Sequence, residues 1–380
     1  MSLVIGFEAK RAFKNNTGLG NYSRMLVCGL ADEYQDVRCF LYSPDMNGDY
    51  RSYFQGYANI STRMPSGFDR KFPNLWRSYG VSMHLKGDKV DIFHGLSHEL
   101  PHGIPSSVKK VVTMHDLIVC RYPKYYSLFD RLAHKFKQRH SCKNADVVVA
   151  ISEQTKQDLV KMMRIPESKI RVIYQSCDQM FWQPIEEDDV RKVRKHYGLA
   201  DKYIICVGTI EERKNQANVV RAMAELPQDV QLVIVGRPHG KYINEVNSAI
   251  KKNNLGSRVK IVSDADFEDF PALYAGAIAS VYMSRFEGFG IPILESMCCD
   301  TPVVTSNISS MPEAGGDAAL YASPEDVSEI AKQLNAIVDS PNLRAELIEK
   351  GRIQREKFSQ KKITTDFYNL YRTLVPEEEE

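Results

Sequence analysis

No stretch of this 380-residue chain approaches the ~20 consecutive apolar residues that a bilayer-spanning helix needs. Its first residues, MSLVIGFEAK, lack a basic segment followed by an apolar core and a small-residue cleavage site, so no signal peptide is expected. The eight cysteines (Cys28, Cys39, Cys120, Cys142, Cys177, Cys206, Cys298 and Cys299) show neither C-x-x-C nor metal-ligand spacing. Without a secretion signal they read as reduced, mostly buried thiols of a cytoplasmic protein. No internal repeat is visible. The single low-complexity piece, Glu377–Glu380, is too charged to pack and is expected to be disordered.

What the chain does contain is ordinary globular composition, 43% hydrophobic and 26% charged, in a length that calls for two domains. The net charge of +2 hides an asymmetry. Residues 1–180 hold 26 Lys and Arg against 17 Asp and Glu, a balance of +9, and the remainder holds 24 against 31, a balance of −7. A basic half suits an anionic partner, a membrane surface or a phosphorylated acceptor, although scattered solvated charge gives the same balance.

Short Val- and Ile-rich runs alternate with helical patterns throughout. The first half offers strands at Leu3–Glu8, Val37–Tyr42, Val90–His94, Val108–Met114, Val147–Ile151 and Ile170–Tyr174. The second offers Tyr203–Val207, Gln231–Val235, Val259–Val262, Ile278–Met283 and Pro302–Thr305. Apolar strands between amphipathic helices predict α/β domains with parallel sheets covered on both faces. The break is expected within Gln175–Ala200, giving domains 1–180 and 181–359, with ligand sites beyond the carboxyl ends of the strands.

Four strand-to-helix connections carry chemistry. Ser284-Arg-Phe-Glu-Gly-Phe-Gly-Ile-Pro-Ile-Leu-Glu follows a strand and runs into a helix expected near Ile291, with Pro292 suited to its first turn. Backbone N–H groups of Gly288, Phe289, Gly290 and Ile291 at a helix start make an anion site, and Glu287 and Glu295 can both face its ligand. Val207-Gly-Thr-Ile-Glu-Glu-Arg-Lys follows another strand, so Gly208, Arg213 and Lys214 sit where a cationic pair can hold a departing diphosphate. His115 follows a third strand, and the pair it makes with Asp116 marks it as a candidate catalytic base. Gly18 and Gly20 lie in the connection Asn15–Arg24, and His94, His98 and Glu99 lie in a segment read as an acceptor wall. Asp264-Ala-Asp266 matches a metal-holding D-x-D pattern but stands before a helical segment, where turn and N-cap chemistry accounts for it, so no metal is assigned. The stretch Val262 to Asp264, at and after the preceding strand's end, is expected near a nucleotide base. Ser127–Asn144 mixes basic residues with Leu128, Phe129, Leu132 and Phe136. A membrane-facing amphipathic helix and a solvated helix face both fit that pattern.

The pair Glu287/Glu295 in E-x7-E spacing, the pattern from Gly208 to Lys214, and Asp300–Tyr321 resemble the GT4 family of retaining glycosyltransferases, closest to its bacterial mannosyltransferase-like members. The resemblance implies the GT-B fold: two doubly wound Rossmann-like domains facing a cleft, with a C-terminal helix crossing back to the first domain near Phe358–Lys362. It implies that Glu287 contacts the donor sugar and Glu295 the ribose, that His115 contacts the donor sugar and the acceptor side, and that the Gly18–Gly20 loop approaches the diphosphate. Many members carry Arg directly after the glycine of the R-K motif, where this chain has Thr209.

These readings predict a metal-independent hexosyltransferase without a cofactor, using a nucleotide-sugar donor, GDP-mannose by analogy. Its acceptor would be saccharide or lipid-linked, in surface glycan synthesis. No nucleic-acid partner is expected, and peripheral contact with the inner membrane face is. Front-face attack is preferred to a covalent route because no second carboxylate stands out. A nucleotide-sugar epimerase and a non-catalytic sugar-nucleotide-binding subunit share the architecture. The helical pattern over 360–376 has Ile363, Phe367, Leu370 and Leu374 on one face, which it must bury.

Overall fold

The computed structural model describes residues 2–15, 18–45 and 50–376. The expected tail disorder at Glu377–Glu380, and Asn16 and Thr17 of the glycine connection, lie outside the described residues. Two compact units are present, Met1–Ser176 with Ser359–Glu380, and Cys177–Phe358. The division therefore falls at Ser176, four residues before the expected position.

The first unit carries β1 (Leu3–Glu8), β2 (Val37–Tyr42), β3 (Ile60–Arg63), β4 (Ile92–Gly95), β5 (Lys109–Met114), β6 (Val147–Ala150) and β7 (Ile170–Val172). They form one parallel sheet in the order β3-β2-β1-β4-β5-β6-β7. Side chains alternate along β1, and both faces of the strand are buried. Leu3, Ile5 and Phe7 enter the core on one face, and Val4 enters the core on the other. Helix α1 (Gly18–Glu33) covers the first face with Tyr22, Leu26, Val27 and Leu30. A five-residue helix, Lys10–Lys14, stands before it. Helix α2 (Leu128–Asn144) starts at Ser127, whose hydroxyl accepts the Asp130 N–H.

The second unit carries β8 (Tyr203–Val207), β9 (Gln231–Val235), β10 (Val259–Val262), β11 (Ala279–Tyr282), β12 (Val303–Ser306) and β13 (Ala319–Ala322), in the order β10-β9-β8-β11-β12-β13. Helix α3 (Ile291–Cys298) follows β11. Strands β3 and β13 were not anticipated. The first is a half-exposed Ile-Ser-Thr-Arg edge strand, and the second, Ala-Leu-Tyr-Ala, is too short to show a period. The last helix, α4 (Gln360–Leu374), returns to the first unit, where Ile363, Phe367, Leu370 and Tyr371 join the core beside β1 and α1. Among the described residues no helix is long and apolar enough to cross a membrane. All eight cysteines are free thiols, six of them buried.

Candidate active site

In each sheet the strand order reverses once, between β1 and β4 and between β8 and β11. Ligands of doubly wound sheets bind beyond the carboxyl ends of the strands at such points. In the second unit the two loops there are the ones carrying Arg213–Lys214 and Glu287. After β8, Gly208 turns with φ 138°, a value that favours glycine, and a short 3-10 turn then presents Glu212–Lys214. After β11 the chain passes through Ser284–Gly288 to Gly290, whose φ of 113° sets the start of α3, with Pro292 in its first turn.

The two loops meet at one carboxylate oxygen. Glu287 Oε1 lies 2.6 Å from Arg213 Nη1 and 2.7 Å from Lys214 Nζ, and it accepts the hydroxyls of Tyr282 and Ser284 at 2.7 Å each. The Glu287 side chain is 12% exposed. Burial alone would raise its pKa, but the charges of Lys214 and Arg213 outweigh burial and hold it well below the usual carboxylate range. Arg213 also pairs with Glu211 at 2.5 Å and donates to the Phe286 carbonyl at 2.7 Å, while the Arg285 N–H donates to the Arg213 carbonyl at 2.8 Å. Lys214 also donates to the Tyr282 hydroxyl. Ser309 and Ser310 donate to the Glu287 carbonyl at 3.0 Å each, which fixes the loop from its other side.

Glu295, one turn inside α3, is 8% exposed and accepts the Tyr274 hydroxyl at 2.9 Å. Burial pushes its pKa up to about 7, against the lowering effect of the Tyr274 hydrogen bond. The two acids of the E-x7-E pair are therefore shifted in opposite directions: Glu287 is held ionised, and Glu295 is raised to titrate near neutral pH. Sequence reasoning missed Tyr274, Tyr282 and Ser284. The last two stand two residues apart at the end of β11, a period that puts both on the Glu287 side.

Other expected positions change. Val262 is 4% exposed and its carbonyl accepts the Gly236 N–H at 2.9 Å, so its side chain belongs to the core and exposure begins at Ser263. Thr209 is exposed and its carbonyl accepts the Gln216 amide. Asp264 and Asp266 are exposed, and Asp266 holds an N-cap position without a side-chain cap bond, so the expected capping does not explain it. Among the described residues no three His, Cys, Asp or Glu side chains converge as a metal site.

In the first unit, His115 follows β5 and is 5% exposed. Its Nε2 lies 2.9 Å from the Leu96 carbonyl, which can only accept, so Nε2 carries the proton. Its backbone N–H donates to His98 Nε2 at 2.8 Å, so the His98 proton resides on Nδ1. His98 takes a left-handed φ of 67°, held by its own N–H on the Thr113 carbonyl at 3.0 Å. Burial lowers the pKa of His115 to about 3 and that of His98 to about 4, so both rings are neutral at pH 7. Asp116 does not form the expected acid–base pair with His115; its carboxylate accepts the Ile118 N–H at 3.0 Å.

His94 is not part of an acceptor wall. It is fully buried, with Nδ1 2.7 Å from the Tyr371 hydroxyl and Nε2 2.8 Å from the Thr113 hydroxyl. Glu99 pairs with Arg77 at 2.6 Å and Lys137 at 3.3 Å, and Arg77 also pairs with Glu8 at 2.7 Å. Arg77 and the buried Glu8, at the carboxyl end of β1, were not singled out from the sequence. Gly18 has open space around it, whereas a Cβ on Gly20 would lie 1.8 Å from the Asn15 carbonyl oxygen. Gly20 is thus required by local packing, and both glycines lie in α1 instead of a loop.

Comparison with known proteins matches residues 16–179 to the Glycosyltransferase Family 4 model and residues 189–354 to the Glycosyl transferases group 1 model. O-antigen chain mannosyltransferase B of Escherichia coli is 28% identical over 373 residues, covering 94% of this chain and 96% of that one. O-antigen chain mannosyltransferase RfbU of Salmonella typhimurium is 27% identical over 342 residues, covering 87% and 90%. Among solved structures, Anabaena Alr3699/HepE in complex with UDP superposes with a TM-score of 0.75 at 17% identity, covering 98% of this chain and all of that one. WaaG, a glycosyltransferase involved in lipopolysaccharide biosynthesis, does so with a TM-score of 0.68 at 15% identity, covering 99% and 100%. With two matched family models in succession along two parallel-sheet units, this chain belongs to the GT4-like glycosyltransferases of GT-B fold.

Proposed function

We propose that the chain is a retaining, metal-independent mannosyltransferase that takes GDP-mannose as donor and a saccharide or lipid-linked acceptor. It would act in surface glycan synthesis, in the cytoplasm, with peripheral contact at the membrane face. The observation that carries the reading is the convergence of Arg213 and Lys214 on Glu287 beside the start of α3. Two cations next to a helix start suit a diphosphate, and a carboxylate between them suits a sugar hydroxyl. The mannose and O-antigen parts come from the Escherichia coli and Salmonella relatives.

In this reading the acceptor oxygen forms a bond to the anomeric carbon as the bond from that carbon to the phosphate oxygen breaks. The acceptor proton passes to the departing phosphate oxygen, and the nucleoside diphosphate leaves. Arg213 and Lys214 hold the charge that develops there. Four donors already bind Glu287 Oε1, which makes it a poor nucleophile and supports front-face attack over a covalent route. Neutral His115, its Nε2 proton committed to the Leu96 carbonyl, offers Nδ1 as an acceptor for a substrate hydroxyl.

The test is a thermal-shift screen of GDP-, UDP- and ADP-sugars, followed by NMR of the product's anomeric configuration. A donor present at 100 times its Kd stabilises the fold by about 2.7 kcal/mol. Stabilisation by GDP-mannose with retained configuration supports the reading. A shift with UDP- or ADP-sugars alone would sink the donor assignment, and an inverted product would sink the mechanism. Donor turnover to an epimer with no acceptor present would favour an epimerase.

A further inference from the structure

Among the described residues, the His115 ring makes one hydrogen bond, from Nε2 to the Leu96 carbonyl at 2.9 Å. A single bond at one ring atom does not fix the tilt of an imidazole, so packing has to set it. The Tyr22 ring stands at 90° to the His115 ring, with centroids 4.7 Å apart, in the edge-to-face arrangement that aromatic rings prefer. The His98 ring is 5.4 Å away at 56°. Tyr22, on α1, is 1% exposed and has no room to swing aside.

Tyr22 is itself fixed through its hydroxyl. Side chains two apart on a strand project to the same side, so Thr113 and His115 meet one neighbour at the end of β5. The Tyr22 hydroxyl shares a hydrogen bond with Thr113 Oγ1 at 2.9 Å. Thr113 Oγ1 is also 2.8 Å from His94 Nε2, and His94 Nδ1 is 2.7 Å from the Tyr371 hydroxyl of α4. Burial holds His94 neutral, with a pKa of about 3, so one of its nitrogens donates and the other accepts. Phe367 of α4 adds ring contacts to Tyr22 at 6.4 Å and to His94 at 5.5 Å. Apolar side chains of the same size would fill this core without the cost of burying four polar groups. What a bonded polar row adds is one fixed orientation for each member, and this row ends at the ring that packs against His115.

We infer that Tyr22 is a positioning residue for His115, braced from α4 through Thr113, His94 and Tyr371. It keeps the imidazole turned so that Nε2 stays protonated on the Leu96 carbonyl and Nδ1 stays the open acceptor. The inference rests on the reading of His115 as a contact to the donor sugar and adds the residues that set its ring. Other groups act on the same ring. His98 and Arg11 disfavour its protonated form, the Leu96 carbonyl and Asp116 favour it, and His94 is within electrostatic range. Burial is the largest influence, so loosening the Tyr22 contact lets the His115 pKa rise from about 3 towards the ordinary 6.5.

The experiment uses full-length protein labelled with ¹⁵N-histidine, and a His115→Gln variant assigns the His115 signals. Long-range ¹H–¹⁵N spectra at pH 7 and pH 5 read tautomer and protonation, and calorimetry reads the affinities of GDP and GDP-mannose. In the wild type His115 should show Nε2–H alone and stay neutral at both pH values. Tyr22→Leu should give a mixture of tautomers and a protonated fraction at pH 5. It should also cut the affinity advantage of GDP-mannose over GDP about fivefold, with GDP itself unchanged within about twofold. Tyr22→Phe keeps the ring without its anchor and should show the same changes in smaller degree, so it carries the test if Tyr22→Leu fails to fold. Unchanged His115 signals in the folded variant, or equal weakening of both ligands, would overturn the inference and leave Tyr22 a core residue. If His115→Gln kept the full advantage of GDP-mannose, His115 would not touch the sugar, and the inference would fall with that reading. If the wild type bound neither ligand, or both equally, the donor assignment would fail, and the spectra alone would decide between positioning and plain packing.

Discussion

Lys214 Nζ lies 2.7 Å from Glu287 Oε1, so a cation suited to a diphosphate is already neutralised by the carboxylate suited to the sugar. Donor binding to this cluster must redistribute an existing ion pair. Glu287→Gln separates the two roles. It leaves two partly buried cations without this carboxylate, Arg213 keeping Glu211, and should lower the stability of the unliganded protein. Lys214 then has more charge to offer a ligand, so GDP should raise the melting temperature of the variant by more than that of the wild type, while kcat falls at least about 100-fold. Thermal melts with and without GDP, together with steady-state kinetics, test this. A smaller GDP shift in the variant would show that Glu287 aids diphosphate binding directly.

Lys214→Ala should weaken donor binding and slow the reaction together, since it removes charge from the leaving group. Loss of one charged hydrogen bond predicts about a 10- to 100-fold drop in kcat/KM. If only the melting temperature moved, Lys214 would be a loop fastener for Tyr282 and Glu287.

Much of this cluster was legible in the sequence, because glycines, a proline and a preceding apolar strand locate a strand-to-helix loop whatever surrounds it. The hydroxyls that hold Glu287 were not, because Tyr282 reads as an ordinary strand residue and Ser284 as the plain start of the loop. His94 shows the opposite failure. Its place at the end of β4 made it look like a ligand-site residue, but it shares its face with Ile92 and bonds Tyr371, 277 residues away. No local signal predicts such a pairing. Helix α2 gave a clear amphipathic pattern, but periodicity does not say which face is covered.

The buried histidines and Glu295 give the two units opposite pH responses. His94 and His115, held near pKa 3, and His98, held near 4, stay neutral in the folded state while an unfolded chain protonates near 6.5. Stability they contribute is lost as pH falls below about 6.5, by up to about 1.4 kcal/mol per pH unit for each ring. Glu295, raised to about 7, holds a proton that the unfolded chain loses near 4.5, so its contribution is lost as pH rises from about 4.5 to 7. Hydrogen exchange at pH 7 and 5, corrected for intrinsic rates, should show weaker protection of β4 and β5 at pH 5 and stronger protection of α3. Equal changes in both units would contradict these assignments.

Activity should survive EDTA, and Asp264→Ala/Asp266→Ala should keep wild-type kcat within about twofold, since exposed acids away from the Glu287 cluster carry no role in transfer. Loss of activity on chelation, restored by Mn²⁺ or Mg²⁺, would overturn the metal-independent reading.

The last helix tests how far a unit depends on residues remote in sequence. Phe367, Leu370 and Tyr371 of α4 are buried beside β1 and α1, and the Tyr371 hydroxyl closes a chain through His94 and Thr113 to Tyr22. Tyr371→Phe leaves His94 Nδ1 without a partner in a fully buried site, at a cost of about 1–3 kcal/mol. Phe367→Ala opens a cavity in the same core and should cost about 3–5 kcal/mol. Both losses should show as reduced exchange protection in residues 2–174, with β8 to β13 unaffected. Removing 360–380 altogether should expose the α1 face and leave the first unit unable to hold its sheet under native conditions. If the truncated protein kept full protection across β1, β4 and β5, α4 would be an accessory to the first unit instead of part of its core.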